Sequence, residues 1–96
     1  MTLSDFKSSL TLDQPDASWP PLIKALWYDG KGDWNSAHNI ADGFGTPDGD
    51  WVHAYLHRKE GDSWNADYWY RRAGQPRPSV SLSEEWEVIV LELLSR

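Results

Sequence analysis

Residues 52–74 read VHAYLHRKEGDSWNADYWYRRAG, and this stretch decides the fold. Asp62 follows Gly61 and precedes Ala66, Trp69, Tyr70 and Ala73. An N-cap aspartate ahead of apolar residues at i, i+3, i+4 and i+7 marks the start of an amphipathic helix. Gly61 closes the run before it, because glycine reaches the left-handed backbone on which helices end. The same reading fits 29 residues upstream, where Asp33 follows Gly32 and precedes Ala37, Ile40, Ala41 and Phe44. The offset continues backwards: Leu22, Ile23, Ala25, Leu26 and Trp27 fall opposite Trp51, Val52, Ala54, Tyr55 and Leu56. The earlier copy opens at Pro20–Pro21, and the later one at Thr46–Pro47, a threonine cap with proline at the first helical position. Residues 20–44 and 49–73 are therefore predicted as two tandem antiparallel helical hairpins, with KGD (31–33) and EGD (60–62) as matching turns.

Small residues set the packing. Ala25, Ala37 and Ala41 in one copy, with Ala54 and Ala66 in the other, stand where two helices must approach closely. Prolines 15, 20 and 21, then 76 and 78, mark connectors on either side. Beyond the second connector, Ser81-Leu82-Ser83-Glu84 fits a capping box and Trp86, Ile89, Val90 and Leu93 form an apolar stripe. A capping helix over 83–95 is expected to complete the core, with Glu84 and Glu85 complementing the dipole of its first turn. Residues 2–19 form an N-terminal segment with room for one further short helix. The whole chain, 1–96, is expected to be a single all-α domain.

The stretch Asn65-Ala66-Asp67-Tyr68-Trp69-Tyr70-Arg71-Arg72-Ala73-Gly74 resembles the second-helix signature of Sel1-like repeats, a branch of the tetratricopeptide group. In that signature an alanine, then Trp-Tyr-Arg and a further alanine recur on one helix. Residues 31–41 and 52–74 also resemble a set of small bacterial proteins, a resemblance that implies no activity. The period here is shorter than in Sel1-like or tetratricopeptide repeats, and there are two copies. What the repeat group implies is a helical scaffold that offers a concave surface to peptides or proteins.

Composition narrows the function. With 96 residues and no cysteine, the chain excludes a disulfide framework, a thiolate nucleophile and Cys-ligated metal. A net charge of −6 argues against a nucleic-acid binder, since phosphate affinity comes from Lys and Arg. The longest aliphatic run, Val88–Leu91, is far short of a membrane span, and the opening MTLSDFKSSL lacks the apolar core of a signal peptide. A cytoplasmic location is expected. The charge is uneven: residues 1–48 hold three basic and seven acidic groups, whereas 57–77 hold five basic (Arg58, Lys59, Arg71, Arg72, Arg77) and three acidic ones. Such a basic island suits an acidic partner, although i,i+4 pairs such as Asp67–Arg71 account for it equally well. Seven tryptophans supply core volume from few side chains, with one or two expected at the surface.

No Gly-x-Ser-x-Gly sequence, phosphate-binding glycine loop or catalytic carboxylate pair stands out, and no cofactor is implied. His53 and His57 lie four apart on one predicted helix with Glu60 a turn further on, and His38 can join them from the neighbouring hairpin. Two or three imidazoles so placed can hold a divalent metal. The repeat counterparts of positions 53, 57 and 60 are Lys24, Tyr28 and Lys31, which places that stripe on a solvated or groove face. No metal is therefore assigned. The first expectation is a non-catalytic protein-interaction module whose face of His53, His57, Tyr68, Arg71 and Arg72 takes a protein or peptide, an acidic one fitting best. The alternative is a metal-binding protein or small enzyme centred on His38, His53 and His57. A third reading is a homodimer that pairs exposed Trp and Leu side chains across a two-fold axis.

Overall fold

Asp33 and Asp62 start two helices in the same way. Each carboxylate accepts a hydrogen bond from the backbone N–H three residues on, Ser36 at 3.1 Å and Asn65 at 3.2 Å. Each follows a glycine in the left-handed region, Gly32 at φ +85° and Gly61 at φ +88°, a conformation that side chains with a Cβ rarely adopt. The computed structural model describes all residues 1–96 and is helical throughout: α1 Leu3–Ser8, continued by a 3₁₀ turn Ser9–Thr11, α2 Pro21–Gly30, α3 Trp34–Ala41, α4 Pro47–Glu60, α5 Ser63–Ala73 and α6 Leu82–Leu94. Thr46 caps α4 with Pro47 at its first position, and Ser81 caps α6 by accepting from the Glu84 backbone at 3.1 Å. The N-terminal segment does form a helix, with a full capping box between Thr2 and Asp5. No helix is long and apolar enough to cross a membrane.

The hydrogen bonds from Ser36, side chain first and then backbone, hold the Asp33 carboxyl below the usual carboxylate range, and Asn65 does the same for Asp62. A lowered folded-state pKa gives stability that is present above the unfolded value near pH 4 and lost as pH falls through the folded value. An Asp33→Asn/Asp62→Asn protein keeps capping side chains that do not titrate. Its urea midpoint is expected to fall less than the wild-type midpoint between neutral and strongly acid pH.

Helix α4 is the centre of the molecule, touching α2, α3, α5 and α6, while α2 packs on α3 and α6. Ala25, Ala37, Ala54 and Ala66 are fully buried, so the backbones close on one another as their size requires. Large side chains fill the space beside them, with Trp27, Leu26, Leu56, Val52 and Ile89 among the most buried. Ala66→Leu is expected to overpack the α4–α5 contact and cost about 1–3 kcal/mol, read from the thermal or urea midpoint. Trp86 Nε1 donates to the Leu26 carbonyl at 3.0 Å, tying α6 to α2, and Trp27 Nε1 donates to the Ser9 carbonyl at 3.1 Å, tying down the N-terminal turn.

Burial follows the 29-residue offset from Leu22 and Trp51 through to Ala41 and Tyr70, all four buried. Two positions are buried in one segment only: His53 is buried where Lys24 is half-buried, and Asp29 is buried where Arg58 is half-buried. Both carry polar chemistry.

Asp29 accepts from Tyr55 Oη at 2.6 Å and from Lys59 Nζ at 2.8 Å. Glu85 accepts from the Tyr70 hydroxyl and from Arg58 Nη1 at 2.7 Å. The first turn of α6 was expected to hold Glu85 as a dipole-complementing carboxylate; instead Glu85 is 2% exposed and locks α6 to α4 and α5. Burial, reinforced by the hydrogen-bonded carboxylates, pushes both tyrosine hydroxyls far above their ordinary pKa, so they remain donors. The expected Asp67–Arg71 pair is replaced as well. Asp67 meets Arg77 at 3.3 Å, because the chain after α5 turns back towards that helix.

Candidate metal centre

His53 and His57 stand one turn apart on α4, and α3 lies against α4 with His38 on the facing side. The three rings point their Nε2 atoms at one another. His53 Nε2 is 3.0 Å from His38 Nε2 and 3.0 Å from His57 Nε2. All three ligand atoms lie within 4.8 Å of one another. Two indoles hold the cluster from either side: Trp34 stacks on His38 with centroids 4.7 Å apart, and Trp69 stacks on His53 at 4.1 Å. Trp34 is itself fixed by donating Nε1–H to the Leu56 carbonyl at 2.8 Å.

The placement of His53 corrects the solvated-face expectation. Its side chain is buried at 2% exposure, and its Nδ1 has no hydrogen-bond partner. Burial, and then the neighbouring His57 and His38, push its pKa down to about 4, so the ring is neutral at physiological pH. His57 is 12% exposed along its side chain, and its Nδ1 lies 3.2 Å from Glu60 Oε2.

Proton bookkeeping on this cluster does not close. A carboxylate only accepts, so the Glu60 contact requires a proton on His57 Nδ1, which in the neutral ring leaves Nε2 a bare lone pair. His53 Nε2 must then donate to His57, and its single proton is shared with His38 at the same distance. If instead His53 Nε2 accepts from both neighbours, one lone pair serves two donors and His57 becomes a cation. In every protonation state two short contacts share one proton or one lone pair. A single divalent ion at the convergence point uses all three lone pairs. Tetrahedral zinc with Zn–N of about 2.0–2.1 Å sets its ligand atoms about 3.4 Å apart, close to the 3.0 Å that separates His53 Nε2 from each of the other two.

The other expected binding residues fall elsewhere. The five-residue face of His53, His57, Tyr68, Arg71 and Arg72 does not exist as one surface, because His53 and His57 point into the α3–α4–α5 junction while Tyr68, Arg71 and Arg72 are exposed. Trp69 joins the two groups, stacked on His53 and lying 5.5 Å from the Arg72 guanidinium. Arg72 also sits 6.0 Å from the Tyr68 ring and 3.6 Å from Asp50. Arg58 belongs to the core ion pair with Glu85.

Sequence reasoning missed Trp34 and Trp69 as walls of the cluster. Trp34 was readable, since it precedes His38 by one turn on α3. Trp69 reaches His53 only through packing of α5 on α4. A cleft of about 470 Å³ lies away from the histidines, against Leu10, Asp29, Tyr55, Lys59 and Trp86. Both Asp29 oxygens on its floor are already bonded. No known protein family, curated protein or solved structure matches the chain.

Proposed function

We propose that this protein binds one divalent transition-metal ion through the Nε2 atoms of His38, His53 and His57. The carrying observation is the convergence of those three nitrogens, with His53 Nε2 3.0 Å from each of the other two and one proton or one lone pair to serve both contacts. An all-imidazole donor set suits zinc, copper, nickel or iron(II) and is a poor set for magnesium or calcium. Glu60 supports the reading, because a carboxylate on His57 Nδ1 fixes the tautomer that leaves Nε2 free and raises its basicity.

The test is calorimetric titration of untagged, chelator-stripped protein with Zn²⁺. One ion per chain is expected, with binding at least a hundredfold weaker in His38→Ala. His38 is only part-buried, so this variant keeps its fold, which circular dichroism checks. Unaltered affinity in His38→Ala and in His57→Ala overturns the assignment. Glu60→Gln is expected to weaken binding by about ten- to a hundredfold with the melting temperature of the metal-free protein unchanged.

A second reading, the helical-repeat interaction module, draws on a separate face. Trp64 is 78% exposed and Tyr68 43% exposed one turn further along α5, with Arg71 and Arg72 beyond. An indole left in water, with two guanidinium groups about two turns further along the same helix, fits an acidic peptide. The check is titration of tryptophan fluorescence with an acidic peptide. A saturable change lost in Arg71→Ala/Arg72→Ala supports the module, and an identical response in the variant removes it. Val88 and Leu91, each 52% exposed on α6, are the side chains a homodimer would cover; light scattering that gives a monomer mass excludes that association.

A further inference from the structure

Three donors leave a tetrahedral ion one short. No fourth His, Asp or Glu side chain stands within mutual ligand range of His38, His53 and His57. The nearest carboxylate with a defined role, Glu60, is engaged on the far nitrogen of His57. All three ligands are uncharged imidazoles, so a bound divalent ion keeps its full charge with no carboxylate in contact to neutralise it. The cluster is also not sealed. His53 forms its buried wall, but His38 is half-buried and His57 keeps part of its side chain in solvent. Closed structural metal sites take four protein ligands, and sites with three retain an exchangeable position.

Resting on the proposed metal reading, we infer that the loaded centre holds a small monoanion or water as an exchangeable fourth ligand, making it an open coordination site and not a closed structural one. The ligand class follows from charge and space. A monoanion halves the uncompensated charge, and the Trp34 and Trp69 rings stacked on His38 and His53 wall the cluster on two sides. Asp42 caps the end of α3, outside ligand range of the three histidines, and the test includes its removal.

Co²⁺ serves as the probe, because its visible d–d bands report coordination directly. The untagged protein is loaded with Co²⁺, its absorption recorded, and sodium azide added in excess, with sodium chloride at matched ionic strength as control. The expected result is a band shift that saturates with azide, while metal analysis after desalting still finds one Co²⁺ per chain. Asp42→Asn is expected to give the same Co²⁺ spectrum and the same azide response. Co²⁺ bands that azide does not move overturn the inference and leave the metal reading standing. A spectrum that becomes azide-sensitive only in Asp42→Asn overturns it too, since Asp42 then closes the site. Absence of Co²⁺ bands, with no metal retained, overturns the metal reading and this inference with it.

Discussion

Glu85→Ala is expected to destabilise the protein by about 3–5 kcal/mol, the cost of breaking an ion pair whose carboxylate is buried and of orphaning the buried Tyr70 hydroxyl. Glu85 is 2% exposed, and its two oxygens take Arg58 Nη1 and the Tyr70 hydroxyl. Removing it takes the counter-charge from the half-buried Arg58 on α4, which keeps its bond to the Val80 carbonyl, leaves a buried hydroxyl on α5 without a partner, and opens a void beneath α6. A domain of 96 residues has a total stability of roughly 5–14 kcal/mol, so the loss consumes a large share of it. At about 4–8 °C per kcal/mol, the melting temperature drops by roughly 12–40 °C. Urea denaturation of Glu85→Ala beside Glu85→Gln separates the charge from the hydrogen bonds, because glutamine still accepts from Tyr70. A loss below about 1 kcal/mol in Glu85→Ala would show that the clamp is not buried. Asp29→Ala is expected to cost less, because Lys59 is 37% exposed at its side chain and can turn to water. Its main cost is the orphaned Tyr55 hydroxyl, about 1–3 kcal/mol.

The second large effect is stabilisation by metal. An ion that binds only the folded chain adds RT ln(1 + [L]/Kd), about 4 kcal/mol at a free concentration a thousand times Kd. For a domain of this size that raises the melting temperature by roughly 15–30 °C. The three ligands come from α3 and α4, so the ion cross-links the two hairpins and its affinity couples to the folding of both. Differential scanning calorimetry with and without Zn²⁺ reads the shift, and His38→Ala should abolish it. An equal shift in His38→Ala would assign the effect to surface carboxylates. No shift in the wild-type protein, at zinc concentrations that saturate ordinary imidazole sites, would remove the three-histidine site.

The hairpins were legible because their signals are local. Gly32-Asp33 and Gly61-Asp62 spell turn and cap within two residues, and the apolar spacing after each caps a helix face without reference to the rest of the chain. Six helices form where about five were expected, the extra one being α1, whose Thr2–Asp5 box is equally local. The histidine site was half legible. Spacing put His53 and His57 on one face, but reading them through their repeat counterparts Lys24 and Tyr28 sent that face to solvent or to a groove. Reading one segment through another 29 residues away carries over apolar positions; it fails where one of them has a different neighbour. In this fold α4 is covered on several sides by α2, α3, α5 and α6, so its stripe at position 53 is enclosed by α3 and Trp69. Glu85 was misjudged for a related reason. An acidic first turn is a surface feature until another helix supplies Arg58 and Tyr70 to meet it.

The sequence by itself determined the all-α class, the positions of the turns and caps, and the small residues at helix contacts. Those depend on hydrogen bonds and side-chain periodicity within a few residues of one another. The tertiary structure alone decided which polar groups are buried and which of them meet: His38 with His53 and His57, Asp29 with Tyr55 and Lys59, and Glu85 with Arg58 and Tyr70. Burial of a polar side chain is set by what packs over it from distant parts of the chain, and no local pattern records that.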